Sequence, residues 1–211
     1  MAYAVGLIAT DGCLLDNPRQ IAFVSQDRQL VETLLACIGR EIRYRTDRTR
    51  LGRELYRLQF KDIVLYRWLE STGLTPRKSL TLGALVVPEQ LLRHVVRGLL
   101  DGDGSIINGV WRADMTRRPD RYYYYELLRV QFASASYAHF DWLRPRLSLA
   151  TGVRGAITTS QRAGRHAMHK LAYGKHDSIA LLRWMYADRD APCLLRKRNI
   201  WDDYARRHDL I

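Results

Sequence analysis

Cysteine is scarce: Cys13, Cys37 and Cys193 are the only three in 211 residues. Three thiols this far apart make neither a disulfide framework nor a zinc site. The chain therefore reads as an intracellular protein of a reducing compartment: cytoplasm or nucleoid, or an organelle in a eukaryote. No apolar run approaches the roughly 18 residues that a bilayer crossing needs, so no membrane partner is expected. The N-terminus has no basic stretch followed by an apolar one, which argues against a secretory signal. The six histidines show no metal-ligand spacing. Negative charge is also short: 22 acids face 34 basic residues, for a net charge of +12. A globular chain this basic usually meets a polyanion. Of the basic residues only 5 are lysine and 29 are arginine. Arginine brings a planar fork suited to phosphate and guanine edges. Codon usage in a GC-rich genome would account for arginine over lysine equally well, but not for the net charge. With 47% hydrophobic residues the chain has material for a core.

What the sequence does contain is an internal repeat. Val5–Gly12 (VGLIATDG) matches Arg97–Gly104 (RGLLDGDG). Gln20–Ser25 matches Arg129–Ser134, and Tyr66–Leu69 matches Leu182–Met185. A basic pair follows in each copy, Arg77-Lys78 and then Arg196-Lys197. Landmarks in the same order describe one duplicated unit and divide the chain into halves at 1–87 and 88–211.

The pattern within the unit reads αββαββα. Residues 2–10 form a short apolar helix, with Gly12 expected as its C′ residue. Residues 13–26 hold two strands around a turn at Asn17-Pro18. Leu30, Leu34, Leu35 and Ile38 share one side of a helix over 27–38. Ile42–Thr46 and Leu55–Lys61 alternate as antiparallel strands. Ile63–Ser71 is a third helix, 72–87 a linker, and a helix from about Glu89 to Leu100 opens the second half. That half repeats the pattern with a longer strand pair around Arg117–Asp120. Trp68 and Trp184, at matched helix positions, are expected in the core.

Gly6–Gly12 and Gly98–Ser105 resemble the two LAGLIDADG motifs of that homing endonuclease family, and Leu74–Leu80 resembles the family's linker before its second motif. The second copy is close to the pattern; the first departs from it at Ala9, where an acid is common. The acid before the final glycine is present in both. The resemblance covers nearly the whole chain. It implies an α+β fold of two pseudo-symmetric αββαββα units whose antiparallel sheets form a saddle across the DNA major groove. It also implies an intron-encoded type of site-specific endonuclease, working as a monomer on double-stranded DNA with a long asymmetric target site.

Asp11 and Asp103 would each stand at the C-terminal end of a helix, where the macrodipole disfavours a carboxylate. Two such acids brought together repel. Divalent cations between them remove the conflict. Mg2+ suits carboxylate, water and phosphate oxygens, with Mn2+ as a substitute and Ca2+ as one that binds without cleavage. Thr10 and Gly102, which precede the acids, are counted with them as metal-ligand candidates. Gly6 and Gly98 lack a Cβ, so the two helices can approach closely. An EF-hand reading of Asp101–Gly104 fails, because loop position 6 is Ile106 and position 12 is Arg112. Asp101 itself reads as a helix-end or turn residue, or as an outer neighbour of the metal. By the resemblance, Lys78 and Lys197 lie near the attacking water, where a cation stabilises the pentavalent phosphate. The plainer alternative is a solvated lysine on backbone phosphate. Gln59 and Gln26 are further candidates for ordering water.

Arg57, Gln59 and Lys61 share one face of their strand against Tyr56, Leu58 and Phe60. Arg43 and Arg45 alternate against Ile42 and Tyr44, and Arg129 and Gln131 against Val130 and Phe132. Arginine reads guanine O6/N7 and glutamine reads adenine N6/N7, so these are the DNA-contact candidates. A merely solvated sheet face is the alternative. Arg196, Lys197, Arg198, Arg206 and Arg207 are expected on a basic C-terminal helix that touches phosphate. Tyr122–Tyr125 should pack half inward and half against the DNA backbone. A maturase or non-cleaving DNA binder of the same fold remains the competing function. An unrelated acid–base enzyme such as a glycosidase would leave the basic strands unexplained.

Overall fold

A computed structural model describes residues 1–16, 19–115 and 118–210; the turn expected at Asn17-Pro18 and residue Arg117 lie outside them. The first unit runs α1 (Ala2–Thr10), β1 (Gly12–Leu15), β2 (Gln20–Ser25), α2 (Arg28–Ile38), β3 (Arg45–Arg48), β4 (Glu54–Phe60) and α3 (Ile63–Ser71). The second runs α4 (Leu92–Asp103), β5 (Ser105–Met115), β6 (Arg118–Ser134), α5 (Tyr137–Thr151), β7 (Ala156–Ser160), β8 (Met168–Tyr173) and α6 (Lys175–Met185), and α7 (Leu195–Arg207) follows. Short 3-10 turns at Lys78–Leu80 and Glu89–Leu91 lie between the units.

Each unit folds its strands into a four-stranded antiparallel sheet, in the order β1-β2-β4-β3 and β5-β6-β8-β7. Alternation places the apolar side chains on one face. Ile21, Phe23 and Leu58 are buried in the first sheet, and Leu128, Val130, Phe132 and Leu171 in the second. Helices cover that face: α2 and α3 on the first sheet, α5, α6 and α7 on the second. The opposite face carries the exposed side chains of the strands, such as Arg57, Gln59 and Arg129.

At the centre, α1 packs against α4. Helix α1 is apolar all round, and every residue from Tyr3 to Ala9 is buried, as expected of a helix with neighbours on all sides. The crossing is possible because both helices have glycine at it. A Cβ on Gly6 would lie 2.2 Å from the Val95 carbonyl oxygen, and one on Gly98 would lie 2.3 Å from that of Tyr3. The fold accordingly has two paired, nearly equivalent units joined through their motif helices.

Several expectations change. Gly12 is not a left-handed C′ residue; it opens β1, and Asp11 is the α1 C-cap. Its glycine is steric, since a Cβ would meet the Ile8 Cα at 2.6 Å, and Gly104 stands in the same way against Leu100 at 2.7 Å. The helix-to-strand reversal is simply too tight for a side chain. The strand expected from Ile42 begins at Arg45, which leaves Arg43 in the approach to it. Trp68 is 40% exposed because Tyr66 and Leu69 take the inward positions of α3, whereas Trp184 is partly buried against the core. Tyr122–Tyr125 do not pack half inward; all four are exposed, since β5 and β6 run on beyond the rest of their sheet as a two-stranded ribbon.

Candidate active site and nucleic-acid interface

The crossing of α1 and α4 brings the two motif ends together. A Cβ on Gly102 would coincide with the Thr10 side chain, 1.9 Å from its Oγ1, so the residues just before the two acids are in direct contact. Asp11 and Asp103 follow them, and Asp11 feels the charge of Asp103. Asp11 is half-buried and Asp103 is open to solvent. Neither carboxylate accepts a hydrogen bond or joins an ion pair among the described residues. Burial, and then the Asp103 charge, push Asp11 up to about 7; crowding by protein raises Asp103 as well.

The two lysines are buried, which rules out the solvated alternative for both. Lys78 donates to the Gly12 carbonyl at 2.6 Å. Lys197 donates to the carbonyls of Leu100 (2.7 Å), Asp101 (2.8 Å) and Gly104 (2.7 Å), with that of Gly102 at 3.3 Å. Lys197 therefore caps the carbonyl end of α4, where a cation is favoured, and Lys78 holds a single carbonyl just past the end of α1. Across the pseudo-two-fold, the strongest attractive influence on Asp11 comes from Lys197, and on Asp103 from Lys78. Burial lowers both lysines, Lys197 to about 8.

Of the two further metal-ligand candidates, Thr10 spends its hydroxyl on the Leu7 and Gly6 carbonyls at 2.9 and 3.2 Å, and Gly102 offers only its backbone. Among the described residues there is no cluster of three or more His, Cys, Asp or Glu. The donor chemistry nevertheless fits a hard divalent cation. It consists of two carboxylates without hydrogen-bond or ion-pair partners among the described residues, held above their ordinary range chiefly by burial.

The surroundings differ between the halves. Beside Asp11 lies a recess lined by Ser25, Gln26, Asp27 and Arg196. Asp27 takes a bidentate ion pair from Arg196 at 2.7 and 2.9 Å, which holds its carboxyl below the usual range. Beside Asp103 the wall is Thr10, Ser134, His139 and apolar side chains. Asp101 is neither a turn residue nor exposed to a metal. It is fully buried and accepts from the Tyr3 hydroxyl at 2.8 Å and the Leu194 amide at 2.7 Å. It ties α4 both to α1 and to the segment before α7, and Ala9 at the matched position has no such role.

On the exposed sheet face, Arg57 and Gln59 point outward from β4, and Lys61 lies just past its end. Arg45 stands directly across from Arg57. Like charges opposed on neighbouring strands cost stability, and Asp47, 3.1 Å from Arg57, offsets them. With Gln20, which accepts from the Gln59 amide, and Arg43, they line a shallow recess. In the second sheet Arg129 is exposed and Gln131 partly so. Arg206 and Arg207 belong elsewhere. Arg206 pairs with Asp203 at 2.5 Å, and Arg207 donates to Asn108 and Glu126, whose side chains share the helix-covered side of the ribbon. They lie behind the sheet because α7 packs there.

Chain topology, paired sheets and crossed motif helices together are the LAGLIDADG homing endonuclease fold. Solved structures agree. I-DmoI in complex with DNA and Ca matches with a TM-score of 0.58 at 15% identity, over 95% of this chain and 96% of that one. The I-LtrWI LAGLIDADG homing endonuclease bound to target DNA matches with a TM-score of 0.59 at 8% identity, over 95% of this chain and 87% of that one. Full-length DUF199/WhiA from Thermatoga maritima shares the fold at a TM-score of 0.55 and 14% identity, over 98% of this chain and 68% of that one. No protein-family model matches the chain, and no curated protein matches it significantly in sequence. No helix among the described residues is long and apolar enough to cross a membrane.

The acid pair gives stability a pH dependence of known sign. Asp11 binds its proton more tightly folded than unfolded, so its contribution is intact below the ordinary value of 3.8 and is lost as pH rises toward about 7. A cation bound between the acids offsets that loss and stabilises the folded chain in addition. The expected result is that Ca2+ raises the Tm more at about pH 8 than at about pH 5. Equal shifts at both would contradict a site made of these acids.

Proposed function

We propose that this protein is a site-specific endonuclease that cuts both strands of a DNA duplex, hydrolysing one phosphodiester per strand with divalent metal. The observation that carries the reading is the juxtaposition of Asp11 and Asp103, unpartnered, at the crossing of the two motif helices. It is supported by neighbours of the same fold solved with DNA and Ca, and with DNA and Mn.

Asp11 and Asp103 would hold Mg2+ or Mn2+, each acid serving one strand; the cation supplies Lewis acidity and helps an attacking water ionise. The chain's own groups do the rest. Lys78 and Lys197, fixed by carbonyls, set positive charge beside the phosphate as it becomes pentavalent. Gln26, in the wall next to Asp11, is placed to orient water; Gln59 is held out on the sheet by Gln20 and is a base reader instead. Arg43, Arg45, Arg57, Lys61, Arg129 and Gln131 supply the face that meets the duplex.

That face predicts a salt dependence. With about five cations on that face to neutralise phosphates, log K should fall against log salt with a slope of about −4 to −5. Replacing Arg57 or Arg129 with Ala should relax preference at one base position, at about 1–3 kcal/mol. Arg207→Ala should leave the slope unchanged. A salt titration on selected and scrambled duplexes reads all three, and a slope near zero would remove DNA as the partner of this face. The reading as a whole is tested by incubating the protein with a randomised duplex library in Mg2+ and in EDTA. A unique cleaved sequence in Mg2+ alone supports it. Binding without cleavage in any divalent metal would reassign the chain as a non-cleaving binder of this fold.

A further inference from the structure

The ribbon of β5 and β6 is the part of the molecule that the cleavage reading leaves unused. It has no counterpart in the first unit, where β1 and β2 are 4 and 6 residues long against 11 and 17. We propose that it carries an aromatic platform, Trp111 with Tyr123 and Tyr125, that recognises thymine methyl groups in one flank of the DNA target. The proposal rests on the DNA-binding reading above.

Strand register places the platform. Gln131 and Arg129 alternate with buried Val130 and Phe132. Outward steps of two along the same face reach Leu127, Tyr125 and Tyr123. Their partners across the ribbon are Gly109, Trp111 and Ala113. From Leu127 to Tyr123 the face that begins with Arg129 and Gln131 thus continues outward without charge, and Arg121 is the next residue on that alternation, beyond the aromatic stretch. Trp111 lies over Gly109: a Cβ there would sit 2.7 Å from the indole ring, so glycine gives the ring a flat seat. Trp111, Tyr123 and Tyr125 are nonetheless 40–54% exposed.

The cation next to Trp111 on its own strand is turned away. Arg112, on the other face, stacks over Tyr122 at 4.6 Å and pairs with Asp114 at 3.0 Å. The same rear face is braced from α7. Asn108 donates to Glu126 at 2.9 Å, and Arg207 and His208 reach Glu126 at 2.7 and 2.5 Å. The ribbon is held at its root as a stiff continuation of the sheet.

The uncharged aromatic stretch inside Arg121 neither neutralises phosphate nor makes the bidentate bonds that read guanine or adenine. It suits the one apolar group on the major-groove edge of the four common bases, the thymine methyl, and a two-stranded ribbon fits that groove. Trp111 is four residues beyond Ile107, the partner of Arg129. At about 3.4 Å per residue this is about 14 Å, or roughly four base steps outward from the position that Arg129 reads.

The test selects bound duplexes from a randomised library with the full chain, then replaces thymine by deoxyuridine in the selected flank. Thymine should be enriched on one side only, roughly four base steps beyond the Arg129 position. Each methyl removed should weaken binding about fourfold, the factor expected for one buried carbon group. The Trp111→Ala/Tyr125→Ala variant should bind both flanks equally, while Arg129→Ala changes only the inner position. The uracil substitution needs no variant, so a folding defect cannot mimic the result. If inner positions are selected but the flank ignores uracil, or the variant keeps the preference, the platform does not read methyls and its partner is another macromolecule. If no position is selected, the DNA-binding reading itself has failed.

Discussion

Asp11→Asn and Asp103→Asn should each lower double-strand cleavage on the order of a hundredfold or more, with specific binding retained. The two acids serve different strands, so one variant that nicks is compatible with the account. The cationic sheet face is untouched, and affinity should stay near that of the parent chain. Stability supplies an independent readout. The Asp103 charge raises the proton affinity of Asp11. Removing the Asp103 charge should let Asp11 ionise closer to its ordinary range, and the metal-free protein should then be as stable as the parent, or more so, above about pH 7. Activity lost with stability kept or gained is the pattern of a site paid for in stability. Double-strand cleavage near the parent rate in both variants, measured on strand-labelled duplex, would exclude the two-acid mechanism.

The second large effect concerns the helix crossing. Gly6→Ala and Gly98→Ala each put a methyl where backbone stands, at 2.2 and 2.3 Å. Backbone cannot rotate aside as a side chain can, so α1 and α4 must separate. Overpacking of this kind costs about 1–3 kcal/mol, and these sites belong at the upper end or beyond. The acids at the helix ends move apart with the helices, so cleavage should fall even in protein that remains folded. Gly83→Ala is the control, since nothing lies within 4 Å of its added Cβ. Denaturant unfolding that ranks the motif-glycine variants equal to Gly83→Ala would contradict the crossing.

How legible the site was in the sequence depended on the distance over which each feature is encoded. The motif acids, the glycines and the αββαββα order lie within the period of the repeat, and duplication displays each of them twice. The role of Asp101 depends on Tyr3 and Leu194, 98 and 93 residues away, and nothing local to it names either partner. The matched lysines were found as a pair, but their burial was not. A lysine reads as solvated until four carbonyls are seen around it, as at Lys197. Asp27 left a signal in its place before a helix start, yet its pairing with Arg196 joins the two units across 169 residues. Alternation in β6 gave the right faces for Arg129 and Gln131. It said nothing about where the sheet behind the strand stops, so Tyr122–Tyr125 were expected to pack half inward. Arg207 was misassigned for a related reason: helical periodicity does not say which side of a sheet the helix will cover.

One chain should supply both halves of a single cleavage centre. The direct measurement is sedimentation of the protein on its selected duplex in Ca2+, followed by strand-resolved cleavage when Mg2+ replaces it. One protein chain per duplex is expected, with both strands cut by that complex. Two chains per cleavage site, or cleavage that appears only when a second chain binds, would contradict it.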